Sequence, residues 1–128
     1  MTHRDRLIAA GLFTPLSASQ ICRRNDILFQ LKQGVKVYEA PTHCVFRRDA
    51  PNRHVQLPGP LECQQAELIE QRLFSHEAHR LCDQLNRRDP EQPPRPNPAL
   101  PPIGMYGICS MDDWADWEQR HAQLRLEV

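Results

Sequence analysis

Lysine is nearly missing from this chain, with two residues against fourteen arginines in 128. That ratio is read as the composition of a GC-rich bacterial or phage genome rather than as a mechanism. Glycine is scarce as well, at five residues, and no glycine-rich phosphate-cradling loop can be assembled from them. Aromatic residues make up only 6%, which limits the core to a modest size. No apolar run approaches the roughly 18 residues that a membrane helix needs, so no membrane partner is expected. None of the five cysteines, at 22, 44, 63, 82 and 109, forms a Cys-x-x-Cys pair. The opening MTHRDRLIAAGLF has too short an apolar stretch for a secretory leader. Reduced thiols and a cytoplasmic location are therefore expected.

Proline, by contrast, is abundant, at twelve residues. Seven of the thirteen residues in PEQPPRPNPALPP (90–102) are proline. Such a run favours extended, semi-rigid chain. Charge is balanced overall, 16 basic against 16 acidic residues, but graded along the chain. Residues 1–60 carry a net +5, residues 61–89 −2 and residues 90–128 −3. A basic front and an acidic tail imply either an anionic partner or a tail that folds back.

Periodicity predicts an α+β fold in one compact domain. Its parts are a basic helix/strand unit (1–60), a long helix (61–89), a proline-rich strap (90–104) and a C-terminal helix (105–128). The first helix is expected over 3–13. The second starts where Ser17 and Gln20 have the spacing of a capping box and stops at Gly34. Ile21, Leu28 and Leu31 are expected to supply its buried face, and Asn25-Asp26 marks a possible break. VKVYEA (35–40), HCVFRR (43–48) and RHVQL (53–57) read as three short antiparallel strands. Ala66, Ile69 and Leu73, then Phe74, Ala78, Leu81 and Leu85, read as offset stripes of one helix from about 61 to 88. IGMYGIC (103–109) reads as an edge strand or a packed loop.

Helix, helix, strands and a basic hairpin over residues 3–57 resemble a winged helix-turn-helix DNA-binding domain in element order. The resemblance implies a wing whose tip, DAPN, is flanked by Arg47, Arg48, Arg53 and His54. It also implies phosphate contacts from Arg23, Arg24, Lys32 and Lys36. The recognition-helix candidate DILFQLKQG offers only Gln30, Lys32 and Gln33 as polar groups, so backbone contacts dominate over base readout.

Site chemistry is sparse. His76, His79 and Asp83 approach one helix face but lack a fourth ligand. The side chains of His43 and Cys44 point to opposite faces of a strand. Asp112-Asp113 reads as helix capping. No catalytic residue, metal site or cofactor is assigned, and the chain reads as a non-enzyme. In the tail, Ser110 and Asp113 have capping spacing, and Met111, Trp114, Trp117, His121 and Leu124 form an apolar stripe. That stripe either docks on its own domain or anchors a partner or a second copy. Two functions follow. One is a small regulator that binds nucleic acid through a basic wing, with a C-terminal docking or dimerisation helix. The other is a phage or mobile-element inhibitor or adaptor that contacts an anionic protein surface and no nucleic acid.

Overall fold

The computed structural model describes residues 2–48, 66–91 and 105–126. The elements run α1 (His3–Ala9), α2 (Ala18–Lys32), β1 (His43–Arg48), β2 (Ala66–Leu73), α3 (Ser75–Arg88), β3 (Tyr106–Ser110) and α4 (Met111–Leu126). The three strands form an antiparallel sheet in the order β2-β1-β3. The α+β expectation holds.

The sheet is covered on both faces. Val45, Ile69, Leu73 and Tyr106 pack with Leu7 of α1 and with Ala78 and Leu85 of α3. On the other face, Cys44, Phe46 and Cys109 lie under Trp114 and Trp117 of α4. β1 therefore buries four consecutive residues, Cys44 to Arg47, as a central strand flanked and covered on all sides must. The Trp114 ring stacks on Phe46 and on Trp117, with centroids 5.8 and 5.0 Å apart. The Met111, Trp114 and Trp117 part of the α4 stripe thus docks on its own domain. The Ser110 hydroxyl accepts the Asp113 N–H at 3.0 Å, the capping contact that the sequence spacing predicts.

Three expectations are overturned. Residues 66–73 are strand, not the first half of a long helix. Apolar residues from both faces of this strand combine to imitate a helical stripe: Ala66 and Leu68 pack on one face, Ile69 and Leu73 on the other. Residues 35–40 form no strand, because both edges of β1 are taken by β2 and β3. The first helix ends at Ala9 rather than at residue 13, closed by a turn at Gly11, whose φ is +72°. The third expected strand (53–57), the DAPN tip and the proline-rich strap lie outside the described residues.

Two polar ties hold the layers. Asp89, just past α3, accepts a bidentate pair from Arg6 at 2.8 and 2.9 Å and the hydroxyl hydrogen of Tyr106. Although burial opposes ionisation of Asp89, Arg6 and Tyr106 hold its carboxyl at about 2. Burial and the Asp89 bond push the Tyr106 phenol up to about 12. The second tie is a bulge in β2, where the register slips between His43↔Leu73 and Val45↔Glu70. Arg72 sits in that slip with φ +58°, a left-handed conformation costly for a residue with a side chain. Its carbonyl accepts Arg24 Nη1 at 2.8 Å, and its Nε donates to Asn25 Oδ1 at 2.7 Å. Helix α2 thus clamps the bulge.

Candidate docking surface

Helix α2 forms where the sequence places it. The Ser17 hydroxyl accepts the Gln20 N–H at 3.2 Å while the Gln20 side chain accepts the Ser17 N–H at 2.8 Å. At the far end, Val35 N–H reaches Gln30 O and Gly34 N–H reaches Leu31 O, with Gly34 at φ +82°. That pattern is a Schellman close, which needs a residue free to turn left-handed. The helix is continuous through Asn25 and Asp26.

What the sequence does not reveal is how little of α2 is buried. Its buried residue is Arg24, not Ile21, Leu28 or Leu31. The Arg24 guanidinium pairs with both oxygens of Glu77 and lies 4.8 Å over the Phe74 ring. The arginine hydrogen bonds pull the Glu77 carboxyl below its ordinary range. Helix α2 is therefore bolted to the body by a charge, with Ile21, Ile27 and Leu28 half-buried and Phe29 and Leu31 left in water. Among the described residues the exposed large hydrophobics are Phe29 at 64%, Leu31 at 43%, Val35 at 49% and Tyr38, fully exposed. All four fall within ten residues of one helix end and its following turn.

Beside them lies a cleft of about 540 Å³, lined by Leu28, Phe29, Leu31 and Lys32 of α2 and by Thr42 and Met111 across from it, among others. Arg23, Lys32 and Lys36 are exposed and flank this face in sequence. A sequence signal was present: Ile21, Ile27, Leu28, Phe29 and Leu31 spread over about 200° of a helix turning 100° per residue. That arc is too wide for one buried stripe on a peripheral helix.

The other expected site residues scatter. Arg47 is buried, with its Nη2 on Glu91 O at 2.7 Å and its Nε 3.9 Å from Asp89. Arg48 is half-buried, its guanidinium 5.2 Å over the Phe46 ring. Arg53 and His54 lie outside the described residues. Arg47 and Arg48 sit at the far end of β1, roughly 17–20 Å along the strand from Thr42 at the cleft. Two of the eight expected phosphate-binding residues, Arg24 and Arg47, are thus engaged inside the fold. Of the expected anchors in the tail, Trp114 and Trp117 are buried and Met111 is half-buried at the cleft. His121 and Leu124 fall in α4 but outside the described side chains.

His76 faces Glu39 at 3.4 Å, His79 Nδ1 meets Ser75 O at 2.7 Å, and Asp83 pairs with Arg87 at 3.2 Å. Among the described residues no three His, Cys, Asp or Glu side chains group so as to hold a metal ion. Nor is any described helix long and apolar enough to cross a membrane. In comparisons with family models, curated proteins and solved structures, nothing matches this chain.

Proposed function

We propose that this chain is a non-enzymatic protein-docking module that acts through the exposed apolar face of α2 and the turn after it. The observation that carries the reading is the gathering of Phe29, Leu31, Val35 and Tyr38, all exposed, on one short segment. Large apolar side chains left exposed beside a cleft mark an interaction site, and aromatic side chains are its usual anchors. The partner is a protein segment that places aliphatic or aromatic side chains in the cleft beside Leu28 and Met111. Its flank is acidic, because among the described residues Arg23, Lys32 and Lys36 have no carboxylate partner. Helix-in-groove recognition works in this way, with apolar anchors for affinity and charges for orientation.

The test places a photo-crosslinking residue at position 29 or, as a control, at position 80 on α3, in the full chain in cells. One defined adduct is expected from position 29 and none from position 80. Tyr38→Ser should remove that adduct, and reversal of Lys32 and Lys36 to Glu should weaken it. Titration of purified protein with random duplex DNA runs in parallel. A steeply salt-dependent complex abolished by charge reversal at Arg48 and Arg53, together with no position-29 adduct, overturns the docking reading in favour of nucleic-acid binding.

A further inference from the structure

Cys44 and Cys109 stand directly opposite one another on neighbouring antiparallel strands. The β1–β3 register is regular throughout, from His43↔Ser110 to Arg47↔Tyr106. Beyond its two ends, Arg48 N–H bonds Met105 O at 2.7 Å and Met111 N–H bonds Thr42 O at 2.8 Å. Antiparallel partners alternate between hydrogen-bonded and non-bonded pairs, so counting inward from either end makes Cys44–Cys109 a hydrogen-bonded pair. Such pairs have Cα atoms about 5.5 Å apart, inside the roughly 4.4–6.8 Å span of disulfides. Opposed residues of a ladder project to the same face, here the one covered by Trp114 and Trp117. The Cα spacing of the pair is therefore within disulfide range in the existing register.

We propose that Cys44 and Cys109 form a reversible dithiol–disulfide pair, whose oxidised state staples the edge strand β3 to β1. The two thiols are not equivalent. The neighbouring Cys109 thiol and burial raise the Cys44 thiol, whereas the Cys44 neighbour draws the Cys109 thiol below its ordinary value. Cys109, on the edge strand, is the slightly exposed member, whereas Cys44 is fully buried. Cys82 gives the contrast: half-buried and with no thiol beside it among the described residues, it is pushed up to about 11 by desolvation.

The oxidant is a low-molecular-weight disulfide of the glutathione class. The Cys109 thiolate attacks one of its sulfurs, forming a mixed disulfide and releasing one thiolate. Cys44 then loses its proton to that thiolate and attacks the Cys109 sulfur, expelling the second thiolate. The protein gives up two electrons and two protons, and the oxidant becomes two small thiols. The bond closes a long loop and restricts the unfolded chain. It also fixes the start of α4 at Met111, two residues beyond Cys109, where α4 meets the cleft.

The test uses reduced full-length protein equilibrated against graded ratios of oxidised to reduced glutathione, quenched by alkylation and mapped by mass. A peptide linked through 44 and 109 is expected, with loss of two alkylation sites and recovery of both on reduction. Oxidation should raise the thermal midpoint by several degrees and change the fluorescence of the overlying tryptophans. In Cys44→Ala, glutathione should accumulate on Cys109, whereas Cys109→Ala should take up none at Cys44. The wild-type mapping needs no variant, so it decides the question even where a variant fails to fold. If Cys44 and Cys109 stay alkylatable at every ratio, or if the linked peptides pair either with Cys22, Cys63 or Cys82, the proposal is wrong.

Discussion

Arg24 grips Glu77 through two hydrogen bonds of 2.6 and 3.0 Å and uses the same Nη1 to hold the carbonyl of Arg72. One guanidinium thereby joins α2, the β2 bulge and the first turn of α3, where Glu77 also accepts the Phe74 N–H at 3.0 Å. Removing it strands a partly buried carboxylate and a strained backbone carbonyl. Arg24→Ala should destabilise the fold by about 2–3 kcal/mol in denaturant unfolding. Arg24→Lys should recover little, since one ammonium cannot reproduce the planar fork that spans both oxygens and the carbonyl.

Asp89 makes stability depend on acid. Its folded-state value of about 2 lies below the ordinary 3.8, so it contributes stability above about pH 4 that is lost as pH falls toward 2. Two units correspond to about 2–3 kcal/mol. The lowered Glu77 acts in the same direction. Tyr106 works at the other end: raised from 10 to about 12, it favours the fold until pH climbs through 10 to 12. Urea midpoints measured from pH 2 to 7 should fall on the acid side, and Asp89→Asn should flatten that limb while lowering stability at pH 7.

Parts of this fold were legible because they rest on local chemistry. Ser17 with Gln20, Gly34, and Ser110 with Asp113 announce helix ends through their own side chains or backbone freedom. HCVFRR shows its strand character in β-branched and aromatic residues, and β3 falls within the stretch read as an edge strand or a packed loop. Residues 66–73 were misread because a strand buried on both faces and broken by a bulge loses its twofold alternation. The Asp89 tie was hidden because its partners, Arg6, Arg47 and Tyr106, are 17 to 83 residues away in sequence. The proposed docking face was hidden for a third reason. Hydrophobic spacing on α2 says which side chains share a face, and nothing local says that a single arginine supplies the buried contact instead.

Gly107 should tolerate no side chain. It lies opposite Phe46 in the β1–β3 ladder, and a Cβ there would come within 2.7 Å of Phe46 Cζ and of Arg48 Nη2. The arginine can swing away, but the ring is held by Trp114 at 5.8 Å. Gly107→Ala should therefore cost about 1–3 kcal/mol through overpacking. Because the clash is with one ring, Phe46→Leu should cost less in the Gly107→Ala background than in the wild type. A double-mutant cycle reads this as favourable coupling.

Phe29 and Tyr38 should separate folding from docking. Their exposure means that truncation removes little buried area, so Phe29→Gln and Tyr38→Ser should shift stability by no more than about 0.5 kcal/mol. Leu85, fully buried against the sheet, provides the contrast, because Leu85→Ala should cost about 2–5 kcal/mol. On the proposed docking function, the consequence of such an exposed side chain lies in an encounter with another surface. Unfolding curves of Phe29→Gln and Tyr38→Ser that overlay the wild type, alongside loss of the position-29 contact in Tyr38→Ser, are therefore the expected result. A drop of 2 kcal/mol or more in either variant would instead place these side chains in the core of the fold.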